Sequence, residues 1–230
     1  MVEQSAAANV NRGRFITFEG GEGAGKSTQI KLLAQRLEAA RLPAIVTREP
    51  GGSPGAEIIR HVLLSGIGRL IGGAAAETLL FAAARDDHVE SLIRPALARG
   101  SWVLCDRFSD STRAYQGSLG AVDPGVLNAI ERVTIGDLKP DLTIILDVPV
   151  EIGITRAAAR RGAAAPDRFE AEGIEFHRKL REAYRRIAAA EPGRCVMIDA
   201  VQPPRKVADD IWAAVRDRLP LSKVTEAELT

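Results

Sequence analysis

Short apolar runs alternate along the chain with longer stretches in which apolar residues recur every three or four positions. Residues 15–18, 44–47, 102–105, 142–146 and 195–198 are apolar at nearly consecutive positions and too short for helices, as strands buried on both faces of a parallel sheet are. Between them the spacing predicts helices over 26–40, 56–64, 77–99, 124–138, 151–161, 172–190 and 205–218. The Ala/Gly-rich stretch 66–76 reads as a loop. The alternation defines an α/β protein with a three-layer α/β/α arrangement, a five-stranded parallel sheet flanked by helices. In such sheets ligands gather at the carboxyl ends of the strands.

The 230 residues fit one domain, expected over 14–220, with a small mobile insert at about 156–170, a disordered extension over 1–13 and a flexible polar tail over 221–230. Thirty-one Lys and Arg against thirty Asp and Glu leave a net charge of +1, so no global field draws nucleic acid or an anionic membrane. Cys105 and Cys195 each border an apolar run and read as buried thiols of a reducing compartment. No apolar run reaches the length of a membrane span, and the first fourteen residues lack the apolar core of a secretory signal; the expectation is a soluble cytoplasmic protein.

Chemistry enters directly after the first strand. Gly20-Gly21-Glu22-Gly23-Ala24-Gly25-Lys26-Ser27, followed by Thr28, leads from the strand into an amphipathic helix, which is the context of a phosphate-binding P-loop. Its glycines let backbone N–H groups converge on an anion, the helix presents its positive end, and Lys26 adds a mobile charge that can follow a γ-phosphoryl group. Ser27 supplies the hydroxyl that such loops place on Mg²⁺. After the second strand comes Arg48-Glu49-Pro50-Gly51-Gly52, and after the third Asp106-Arg107-Phe108. Two arginines at adjacent strand ends can grip one phosphate, because the planar guanidinium bonds it bidentately. The competing reading is two local ion pairs, Arg48 with Glu49 and Arg107 with Asp106.

The P-loop, Thr47-Arg48-Glu49-Pro50-Gly51-Gly52, Phe81-Ala82-Ala83-Ala84-Arg85, Asp106-Arg107-Phe108, Ser111-Thr112-Arg113-Ala114-Tyr115-Gln116-Gly117 and Asp167-Arg168-Phe169-Glu170 occur in an order that resembles the bacterial thymidylate kinase family over 15–219. The resemblance implies a P-loop NTPase fold with a short mobile lid, usually homodimeric, moving the γ-phosphoryl of ATP to dTMP with Mg²⁺ to give dTDP. It places Lys26, Arg107, Arg168 and Asp106 at the reacting phosphates, with Arg48 and Arg107 holding the dTMP phosphate. Asp106 would orient Arg107 or contact the hydrated metal. Phe81 would stack on thymine and Arg85 bond its O4; the two are four apart on a predicted helix and share a face. Thr112 matches a position at the pyrimidine N3 side and Tyr115 one against the sugar, while Ser111 and Gln116 line the acceptor site. Glu22 would accept from the 3′-hydroxyl.

One branch of the family carries an arginine where Gly23 stands; the other supplies that charge from the lid, where Arg156, Arg160, Arg161 and Arg168 are the candidates. Arg168 is assigned to the γ-phosphate and Arg161 to adenine, whereas Arg156 and Arg160 read equally as a solvated helix end. Taken without the family, Phe81 is a core aromatic and Arg85 a solvated charge. Asp147 ends the fourth strand as either a metal-linked acid or a structural residue. His61, His88 and His177 have no metal-ligand spacing and read as surface or packed imidazoles. The alternatives to a dTMP kinase are a P-loop kinase for another nucleotide or a deoxynucleoside, and a non-catalytic ATP-binding switch. An alcohol acceptor needs a carboxylate base and no second anion clamp, so the arginine pair argues against a deoxynucleoside.

Overall fold

Five parallel strands pair in the order β2-β3-β1-β4-β5, with β1 at Phe15–Glu19, β2 at Ala44–Arg48, β3 at Trp102–Asp106, β4 at Leu142–Asp147 and β5 at Cys195–Asp199. The computed structural model describes residues 12–65, 72–162 and 169–220. Each strand runs one residue further than its apolar run, because the ladder continues through the polar residue that ends it. The pairing Arg48↔Asp106, for example, closes β2 against β3. Burial of both strand faces holds for β1, β3 and β4 but not at the edges, where Val46 of β2 is 54% exposed and Met197 of β5 is also open to solvent.

Period-two alternation splits the core. Ile16 and Phe18 face a cluster with Ile30, Leu33 and Leu37 of α1 (Lys26–Ala39) and Val207, Ile211 and Val215 near the carboxyl end of the chain. Phe15, Val103 and Cys105 face Val89, Ile93 and Leu97 on the other side. Thr17 and Glu19 lie on that second face, where Thr17 and Thr143 hydroxyls meet at 2.8 Å. Both cysteines are buried and free.

Local chemistry sets the helix starts. Pro54 opens α2 (Pro54–Leu64) behind an extended Ser53, and Asp123 caps α5 (Pro124–Thr134) by accepting from Gly125 and Val126 N–H. Helix α3 (Gly73–His88) begins inside the stretch expected to be a loop and passes through a π-helical turn, Val89–Ile93, into Arg94–Ala98. Alanine-rich sequence favours helix once tertiary packing removes the cost of nucleation, and α3 packs along α2. Helix α4 (Ser109–Thr112) with its wide π-helical extension, Arg113–Leu119, went unpredicted, and α5 stops four residues short of the expected end. Helices α6 (Val150–Arg161), α7 (Ile174–Ala190) and α8 (Pro204–Arg218) follow the expected spans within two residues. Gly13, placed in the amino-terminal extension by sequence, is buried and donates its N–H to Leu97 O at 2.9 Å, so the packed chain begins before Arg14. No helix among the described residues is long and apolar enough to cross a membrane.

Candidate active site

The P-loop turns at the carboxyl end of β1, the central strand, through Gly20, Gly23 and Gly25 with positive φ angles of 132°, 66° and 93°. No side chain caps α1, so its first amides remain donors at the cleft wall. Gly23 is sterically obligatory. A Cβ there would meet Gly153 O of α6 at 1.9 Å, and the left-handed φ excludes a side chain as well. An arginine at this position is impossible in this chain while α6 packs where it does.

A cleft of about 350 Å³ runs from the loop across the ends of β2 and β3 to α3 and α4. Lys26, Ser27, Arg48, Asp106 and Arg107 lie along it, with Phe81, Arg85, Ser111, Thr112, Tyr115 and Gln116 toward the far wall. The sequence therefore named residues that tertiary structure brings together. Gly20 and Gly21 stand just behind, their carbonyls accepting from Lys26 Nζ at 3.1 and 3.0 Å. Thr28 is exposed beyond Ser27. Burial first, and Arg107 next, lower the Lys26 pKa below the usual lysine range.

Neither arginine makes the local ion pair that was its alternative reading. Arg48 Nη2 donates to Glu57 Oε1 of α2 at 2.9 Å and keeps 54% of its side chain exposed at the cleft. Arg107 Nη2 donates to Glu22 Oε1 at 2.6 Å, and its Nη1 to Tyr184 OH at 3.1 Å and Ser111 Oγ at 3.3 Å. Burial pushes the Glu22 carboxyl up, but Arg107 and then Lys26 outweigh it and hold it below the ordinary range. Asp106 accepts from Ser27 Oγ at 2.9 Å. This hydroxyl and carboxylate form an oxygen donor set, which suits a hard cation such as Mg²⁺. No group of three or more His, Cys, Asp or Glu among the described residues could hold a metal, so most of such an ion's shell would come from phosphate and water.

At the far wall Arg85 is 2% exposed, not a solvated charge. Its Nε donates to Glu49 Oε2 at 2.8 Å and its Nη2 to Thr112 Oγ1 at 3.0 Å. Glu49 also meets His88 Nδ1 at 3.2 Å, and His88 Nε2 lies 2.7 Å from Thr47 Oγ1. Gly52 allows that approach, since a Cβ would fall 2.5 Å from His88 Nε2. The histidine read as a packed imidazole is packed, yet it joins α3 to Thr47 and Glu49, the residues on either side of Arg48 at the end of β2. Phe81 is half-buried beside Phe169 at 6.5 Å between ring centroids, and Tyr115 meets Phe169 edge-on at 5.2 Å. Gln116 Nε2 donates to Glu77 Oε1 at 2.7 Å, which settles its direction.

The arginines expected in a lid diverge. Arg160 lines the cleft and bonds Glu170 Oε1 at 3.2 Å. Arg161 bonds Glu170 Oε2 at 2.9 Å and is not part of the cleft wall. Arg156 donates to Ala200 O and Val201 O after β5. Arg168 lies outside the described residues. Asp147 is structural: Arg181 grips it through two bonds of 2.6 and 2.8 Å and Arg185 through a third.

Sequence reasoning missed Glu19. Its buried carboxylate accepts from Phe108 N–H, Ser111 Oγ and Tyr184 OH at 2.8, 2.7 and 3.0 Å. The signal available was an acid ending an otherwise apolar strand. Burial, and secondarily Asp110, push its pKa up to about 7 against Arg107. A carboxyl raised in the folded state contributes stability that is fully present below its unfolded pKa of 4.5 and is lost as pH rises through 7. Wild type should therefore lose about 2 kcal/mol relative to Glu19→Gln between pH 5 and 8, read by urea unfolding. A gap independent of pH would refute the assignment.

Parallel sheet, glycine loop and cleft together place the chain among the P-loop NTPases. The thymidylate kinase family model matches residues 18–211. The thymidylate kinase of Rhodopseudomonas palustris (strain BisB18) is 72% identical over 228 residues, 99% of each chain. That of Nitrobacter hamburgensis (strain DSM 10229 / NCIMB 13809 / X14) is 70% identical over 231 residues, 99% of this chain and 100% of its own. The crystal structure of thymidylate kinase from Ehrlichia chaffeensis aligns with a TM-score of 0.70 at 30% identity, covering 89% of this chain and 99% of that one. The chain belongs to the thymidylate kinase family.

Proposed function

We propose that this chain transfers the γ-phosphoryl group of ATP to dTMP, giving dTDP and ADP, in the cleft between the P-loop and the wall formed by α3 and α4. The observation that carries the reading is one continuous cleft lined by Lys26 and Ser27 of the phosphate loop, by Arg48 and Arg107 at the strand ends, and by Phe81 and Arg85 of α3. The dTMP phosphate is largely ionised near neutral pH and is its own nucleophile, so the barrier is bringing two anions together. Catalysis then comes from positioning and charge neutralisation rather than from a general base.

Lys26 leaves the carbonyls of Gly20 and Gly21 to follow the transferred group, while Arg48 and Arg107 hold the acceptor phosphate. Arg85 offers a donor to the thymine O4 and rejects the amine of cytosine, which would meet a donor with a donor. Ser27 and Asp106 would hold Mg²⁺, which would supply charge neutralisation on the phosphate oxygens. Lid charge falls to Arg160 and Arg168. Gly23 cannot provide it, given its contact with Gly153.

ADP release, measured by a coupled assay with each nucleoside monophosphate in turn, is expected to require dTMP. Equal release without an acceptor would sink the proposal in favour of an ATP-binding switch. In the same assay Arg48→Ala should raise KM for dTMP about tenfold with KM for ATP unchanged.

A further inference from the structure

Arg107 is held from behind by Glu19 and Tyr184, which do not line the cleft, together with Ser111, which does. Tyr184, on α7, is buried, and its hydroxyl lies 3.1 Å from Arg107 Nη1, 3.0 Å from Ser111 Oγ and 3.0 Å from Glu19 Oε2. Ser111 Oγ makes the matching set, 3.3 Å to Arg107 Nη1 and 2.7 Å to Glu19 Oε2. The protons on this ring of groups can be ordered from their chemistry. A guanidinium only donates, and the Glu19 carboxylate, ionised above a pH of about 7, only accepts. Tyr184 and Ser111 therefore both donate to Glu19 Oε2 and turn their oxygen lone pairs toward Arg107 Nη1.

This order points Arg107 Nη1 away from solvent, while Nη2 goes to Glu22 and the guanidinium lies 5.3 Å over the Tyr115 ring. Arg107 itself sits at φ 71°, a left-handed turn that non-glycine residues rarely adopt. That turn lets Arg107 N–H close on Phe18 O at 2.9 Å and Phe108 N–H on Glu19 Oε1 at 2.8 Å, so backbone and side chain are tied to the same strand end.

We propose that Tyr184 is a positioning residue for the acceptor-phosphate clamp: through its hydroxyl, the buried Glu19 carboxylate sets the orientation in which Arg107 meets phosphate. The inference rests on the function proposed above. Tyr184 touches no substrate; it acts only through Arg107. Anchored by Arg181 and Arg185 to Asp147, α7 holds that hydroxyl against the sheet.

Tyr184→Phe removes one oxygen and keeps the ring in its cluster with Ala114, Leu180 and Ala183. Calorimetric titration of the full chain with dTMP and with thymidine, which lacks the phosphate, separates positioning from packing. The expected result is a roughly tenfold weaker Kd for dTMP, thymidine affinity within about twofold, and KM for ATP unchanged. On an Arg107→Ala background the same substitution should change dTMP affinity less than about twofold, because its route of action has gone. Equal weakening toward both ligands, no weakening toward either, or an undiminished effect without Arg107 would each overturn the inference. A wild type active on dTMP with an indifferent Tyr184→Phe variant sinks this inference alone. A wild type that neither binds nor phosphorylates dTMP sinks the proposed function as well.

Discussion

Replacing Arg107 with alanine is expected to lower kcat/KM for dTMP by about 10³-fold while leaving ATP affinity within about twofold. The Arg107 side chain is 18% exposed against 54% for Arg48, so its surroundings are lower in dielectric. Charge neutralisation there is worth more than at the exposed Arg48, where water and Glu57 share the work. Loss of Arg107 would also remove the strongest positive influence on Glu22, leaving Lys26 and more weakly Arg160 to offset it as the phosphate arrives, which adds repulsion to lost attraction. Because the attractive term grows as the two phosphates close, kcat should fall along with KM rising. Steady-state kinetics in both substrates check this. A variant with wild-type kcat and only a higher KM would show that Arg107 binds but does not stabilise the transition state.

The second large effect falls on stability. Glu49→Ala removes the counter-charge of a buried guanidinium, leaving Arg85 with the neutral Thr112 hydroxyl, and takes a hydrogen-bond partner from His88. Stranding a buried charge costs about 3–5 kcal/mol. For a chain of this size that lowers Tm by about 10 °C. Glu49→Gln keeps one acceptor and should lose about half as much, with weaker preference for dTMP over dCMP as Arg85 gains freedom. Thermal unfolding and an acceptor comparison report the two consequences separately. A Tm within about 2 °C of wild type for Glu49→Ala would mean that Arg85 is neutralised from elsewhere.

These two residues show where reading the chain succeeds and where it stops. Arg107 was legible because its neighbours in sequence, Asp106 and Phe108, mark a strand end, and strand ends of parallel sheets carry sites. Glu49 was legible only as half of a local pair with Arg48. Its true partners, Arg85 and His88, are 36 and 39 positions away. Likewise Arg107 was set against Asp106, one residue off, and met Glu22, 85 residues off, instead. The unpredicted α4 and its π-helical extension follow the same rule. A short run of i→i+5 hydrogen bonds leaves no apolar period to read, yet that extension carries Tyr115 and Gln116 to the cleft wall.

By itself the sequence determined the layer architecture, the phosphate loop and the arginines at the strand ends, and its resemblance to the thymidylate kinases picked out most of the other residues named along the cleft. Strand and helix periods are local, and the loop's chemistry is written in eight consecutive positions. Only the tertiary structure decided which charge answers which, that Gly23 is closed to any side chain by Gly153, and that Glu19 and Tyr184 stand behind Arg107. Partner choice depends on burial and on distances between residues far apart in the chain. No local pattern encodes either.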